Sequence, residues 1–141
     1  MEKNMFIHRY IIYGLIGICL EIFWTGLESL LNNNYTMEAK TSVWMFFIYG
    51  LAVFFEPIHH KMKRINPMFR GLIYMILIYT VEFLTGGILK VLLGACPWNY
   101  TDWGSFYGLI TLSFMPVWSA LGFIFEGIHR GLDTIDMRLR V

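Results

Sequence analysis

Residues 54–60 read FFEPIHH, and residues 123–130 read FIFEGIHR. Each stretch sets a glutamate and a histidine three positions apart in an apolar run: Glu56 with His59, and Glu126 with His129. Residues at i and i+3 share one face of a helix, so each pair can bring a carboxylate and an imidazole to one point. Such donors suit iron, manganese or zinc. Two more glutamates, Glu21 and Glu82, stand in the remaining apolar stretches. A carboxylate in hydrocarbon is costly unless it is paired, protonated or bound to a cation. Arg9 and Arg70 are each twelve residues from the glutamate of their own stretch. That is about 18 Å along a helix, too far for direct pairing. Lys90 can fold back towards Glu82 but cannot neutralise four sites.

By stretch, the order is Glu, Glu-x-x-His, Glu, Glu-x-x-His. This resembles the ligand set of ferritin-like di-iron and di-manganese carboxylate proteins, which are four-helix bundles. The resemblance implies metal ligands at Glu21, Glu56, His59, Glu82, Glu126 and His129. They would hold two divalent transition-metal ions, iron foremost, with manganese or zinc as alternatives, whose four charges balance four carboxylates. Tyr13, Tyr74 and Glu28 are candidates to hydrogen-bond those ligands, although packing or an interfacial position also accounts for them. His8 and His60 read as solvated residues. With open coordination positions, the expected chemistry is redox turnover of oxygen, peroxide or a lipid-soluble substrate. The same carboxylates could instead line a path for a metal ion or proton, or stay protonated in a partner-binding subunit.

The elements that must carry these residues are membrane helices. Of 141 residues, 57% are hydrophobic and 15% charged, too little polar surface for a soluble domain of this size. Four stretches are long enough to span a bilayer: 6–31, 41–60, 68–94 and 107–130. The expected fold is all-α, a four-helix transmembrane bundle in one integral membrane domain, residues 1–141. Glu21 and Glu28 interrupt the first stretch and no small-x-small pattern follows, so it reads as a retained span. Lys3, Arg9, Lys61, Lys63, Arg64, Arg70, Arg130, Arg138 and Arg140 face Lys40 and Lys90 across the chain. That bias places both termini in the cytoplasm, in a multi-pass protein of the cytoplasmic membrane. Trp44, Trp98 and Trp103 then sit near the opposite headgroup layer. The net charge of +1 argues against a nucleic-acid partner. Cys19 and Cys96 lie at different depths and are not expected to bridge within one chain.

The chain also repeats. With Glu56 on Glu126, Phe55, Ile58 and His59 meet Phe125, Ile128 and His129; with Glu21 on Glu82, Arg9, Ile12 and Tyr13 meet Arg70, Ile73 and Tyr74. The pattern is a tandem pair of parallel two-helix hairpins, about 1–66 and 67–141, related by an axis along the membrane normal. Equal heights for Glu56 and Glu82 put the intervening turn near 67–69, close to the Asn66-Pro67 turn signal. Pro57 and Gly127 occupy the same place between Glu and His. Pro57 removes a helical hydrogen bond to the Val53 carbonyl and tends to bend the helix.

The segments GLIGICLEIFWTG, TSVWMFFIYGLAVFFEPIHH, RGLIYMILIYTVEFLTG, GACPWNYTDWGSFYGLI and PVWSALGFIFEGIH cover most of the sequence. They resemble the type IV ABC-transporter permease family of small bacterial membrane proteins. The resemblance implies transport but supplies no catalytic residues to carry over. No G-x-x-x-x-G-K-[ST] phosphate loop occurs in the sequence, so any ATPase would be a separate chain. A homodimer would supply eight spans.

Overall fold

The computed structural model describes residues 3–139; Arg140 and the Lys3 side chain, both counted in the charge bias above, lie outside what it describes. The chain divides into two compact units, Met1–Phe55 and Glu56–Val141. The division falls inside the second apolar stretch, ahead of the repeat boundary expected near 66.

In the first unit α1 runs Lys3–Leu31 and α2 runs Val43–Gly50. At 29 residues, α1 is about 43 Å long, more than a hydrocarbon core requires. Asn33 ends it in the left-handed region at φ 64°, where the Asn34 amide donates to the Ser29 carbonyl, a Schellman-type stop. Ser42 caps α2 by accepting the Trp44 amide. The two helices pack closely because α1 is glycine-notched: a Cβ at Gly17 would lie 2.1 Å from the Tyr49 ring. After Gly50 the chain tightens into a 3₁₀ stretch, Leu51–Phe55. That stretch stops two residues before Pro57, which cannot donate to the helical ladder.

The second unit contains α3 (Glu56–Met62), α4 (Pro67–Leu93) and α5 (Met115–Leu139). Asn66 caps α4 by accepting the Met68 amide at 2.9 Å, with Pro67 at the first helical position. The turn therefore lies where the Asn-Pro signal puts it. Gly94 closes α4 at φ 70°. Helices α4 and α5 pack against each other, and a Cβ at Gly122 would come within 2.2 Å of Tyr74 Cβ. Tyr74, Met75, Leu89, Leu121 and Phe125 are buried.

Among the described residues three helices are long and apolar enough to cross a membrane: Asn4–Leu31, Val43–Met62 and Pro67–Leu93. Leu72, Ile76, Leu84, Ile88 and Val91 of α4 are exposed, an outward apolar face that lipid would cover. This is a membrane protein, and among the described residues its regular structure is helical apart from one short ribbon.

The fourth expected span needs correction at both ends. Residues 107–111 are not helical, and Leu112–Phe114 make only a 3₁₀ turn ahead of α5. Strand β1 (Ser105–Phe106) pairs antiparallel with β2 (Ile110–Thr111). Tyr107 and Gly108 take φ 55° and 72°, and Leu109 donates to the Phe106 carbonyl, the signature of a type I′ turn. Helix α5 then continues to Leu139 and carries Glu126, Arg130, Asp133, Asp136 and Arg138 in its second half. Those charges take it out of the group apolar enough to span by composition.

Candidate functional site

The second unit gathers its ionisable residues in two places along α4 and α5. Helix α3 contributes a buried stripe of Glu56, His59 and Met62. Helix α5 contributes Phe125, Glu126 and His129, all buried. Both Glu-x-x-His pairs thus turn inward together, as the three-residue spacing predicts.

Glu126 is 2% exposed and accepts a hydrogen bond from the Tyr74 hydroxyl at 2.7 Å. Arg70 Nε approaches the same carboxylate oxygen at 3.3 Å, and its guanidinium lies over the Phe123 ring. Arg130 is 3.8 Å from the other oxygen. Arg70 is indeed too far along α4 to meet Glu82, but α5 brings Glu126 beside it. Arg70 thus sets a positive charge beside Glu126.

His129 is held from both ring nitrogens. Its Nδ1 faces Glu56 Oε1 at 3.4 Å. Its Nε2 lies 3.0 Å from His60 Nε2 and 3.3 Å from Asp133 Oδ2. His60, read from sequence as simply solvated, is half exposed and also 3.5 Å from Asp133 Oδ2. The His59 ring sits edge-on to Tyr74 at 5.1 Å and 5.5 Å from the His129 ring. It is 1% exposed, yet neither nitrogen has a hydrogen-bond partner among the described residues. An unsatisfied buried polar group costs about 1–3 kcal/mol, and functional sites are where such costs are tolerated.

Glu82 belongs to the other place. Its two oxygens accept from Tyr100 at 2.6 Å and from the Trp118 indole at 3.1 Å. Trp118 precedes Glu126 by eight residues, about 12 Å along α5, so Glu82 and Glu126 occupy separate levels. Tyr100 comes from the CPWNY loop. So does Trp98, whose indole donates to the Leu109 carbonyl and fills the notch at Gly86. These loop aromatics shape the end of the unit, a role that an interfacial reading of Trp98 does not anticipate. Asp102 accepts from the hydroxyls of Thr111 and Ser113, which hold its carboxyl below the usual carboxylate range.

Glu21 lies in the first unit, half-buried, with Thr41 and Tyr49 hydrogen-bonding its carboxylate. Tyr13 of the same unit is fully buried. Glu28 is exposed near the end of α1, and its backbone carbonyl accepts the Asn32 amide. Of the residues singled out in sequence, the second unit brings Glu56, His59, Glu126, His129 and Tyr74 together and keeps Glu82 apart. Asp133 was not anticipated. Its signal is the four-residue spacing from His129, which places both on one face of a helix.

Apolar helices around a buried carboxylate–histidine–arginine group define an integral membrane protein with an ionisable interior. The chain belongs to the family ABC_trans_CmpB, described as "Putative ABC-transporter type IV", which matches residues 8–135. No solved structure matches the chain.

Proposed function

We propose that the chain is the membrane-embedded component of a transporter, and that its Glu56–His59–Glu126–His129 group lies on the path of a proton or divalent metal ion. Family membership supports transport. The observation that carries the path is Glu126: a carboxylate 2% exposed on a helix beside apolar spans, bonded to Tyr74 and paired with Arg70. Ionisable residues at such positions are rare and recur on ion paths and proton relays. ATP hydrolysis would come from a separate chain, since the sequence has no phosphate loop. In this reading α5 forms a fourth span, the termini and the 61–70 loop face the cytoplasm, and a homodimer completes the transport unit.

Everted membrane vesicles from cells that make the chain, compared with vesicles from cells that lack it, test the proposal. ATP-dependent uptake of Mn²⁺, Zn²⁺ or protons is expected in the first and absent from the second. Equal uptake of all three would overturn it.

A further inference from the structure

We propose that His60, His129 and Asp133 form a binding site for one divalent transition-metal ion of the zinc class, tying α3 to α5. The site shares His129 with the proposed ion path, but direct metal binding tests it apart from transport; it is a single ion on a ligand set that differs from the two-ion arrangement expected from sequence. Three donor atoms, His60 Nε2, His129 Nε2 and Asp133 Oδ2, make a triangle with edges of 3.0, 3.3 and 3.5 Å. Ligands bonded at about 2.0–2.2 Å to one ion stand about 3.0 Å apart at octahedral angles and about 3.4 Å apart at tetrahedral ones. All three edges fall at about those separations. A hydrogen bond between the imidazoles would account for one edge alone.

The surroundings suit an ion as well. Glu56 Oε1 faces the far nitrogen of His129 at 3.4 Å. A carboxylate there favours the proton on Nδ1 and turns the Nε2 lone pair towards the triangle, the usual support of a metal-bound histidine. The His129 side chain is 1% exposed, whereas those of His60 and Asp133 are 50% and 28% exposed. The triangle therefore has one ligand fixed in the interior and two at the surface, through which an ion and its remaining waters can enter. The buried His59 ring, with both nitrogens unpartnered, lies beside His129 and is a further polar neighbour. Two imidazoles and a carboxylate suit zinc, cobalt or iron over calcium or magnesium.

The test uses the full chain, purified in detergent, stripped with EDTA and titrated with Zn²⁺ or Co²⁺. One equivalent per chain is expected, with visible Co²⁺ bands, reversal by EDTA and a higher unfolding temperature when Zn²⁺ is present. His60→Gln and Asp133→Asn should each weaken binding at least 10-fold. His8→Gln, at an exposed site in the other unit, should bind as the parent does. Both ligand substitutions replace solvent-reaching side chains, so helical circular dichroism should be retained, and the parent titration decides the matter if it is not. No uptake by the parent chain would overturn the site and leave a hydrogen-bonded histidine pair. Undiminished uptake in a folded variant carrying both His60→Gln and Asp133→Asn would place the ion elsewhere and overturn it equally.

Discussion

Arg70 Nε lies 3.3 Å from Glu126 Oε2, joining two residues that are 56 positions apart. The carboxylate is almost fully buried, and the same oxygen takes the Tyr74 hydroxyl. Arg70 is the charged group set against that buried oxygen. Removing the partner alone leaves an uncompensated charge, which is more damaging than removing both.

Arg70→Met should therefore destabilise the detergent-solubilised protein by about 3–5 kcal/mol. Adding Glu126→Gln to that variant should restore part of the loss. Denaturant unfolding of both single variants and the double supplies the cycle. Additive losses would mean that the two side chains act independently.

Two glycines on α5 should respond in opposite ways. Gly122→Ala puts a methyl group where Tyr74 Cβ is 2.2 Å away, so α4 and α5 must separate, at about 1–3 kcal/mol. A Cβ at Gly127 meets nothing within 4 Å. Gly127→Ala should raise stability by about 0.5–1 kcal/mol through helix propensity. Thermal unfolding of the two variants checks both signs. Damage at Gly127 would show that its backbone freedom has a use.

The 102–113 loop should loosen in acid. The Thr111 and Ser113 hydroxyls depress the Asp102 pKa. Its contribution to loop order is therefore present above the ordinary carboxylate pKa and is lost as pH falls through the lowered folded value. Hydrogen exchange at the Leu112 amide, which donates to the Gly104 carbonyl, should be slow near neutrality. Corrected for intrinsic exchange, its protection should fall in acid. Asp102→Asn should remove that dependence.

Much of this architecture is legible in the residues. The Asn66-Pro67 turn and the inward face shared by Glu and His at three-residue spacing follow from local geometry, and the structure has both. The hairpin at 105–111 is harder to read, because FYGLIT continues an apolar run and Tyr107 is not a habitual left-handed residue. Long-range pairing is harder still. Helical rise correctly excludes Arg70 from Glu82, but it says nothing of the neighbouring helix that supplies Glu126. Asp133 is visible as a helical neighbour of His129, yet its nearness to His60 depends on how α3 meets α5.

Glu126, rather than Glu82, is the carboxylate proposed for the ion path. Cation and proton uptake into everted vesicles should fall at least 10-fold in Glu126→Gln. Glu82→Gln keeps an oxygen for Tyr100 or Trp118 and should keep most of the rate. Full uptake in a folded Glu126→Gln protein would contradict the account.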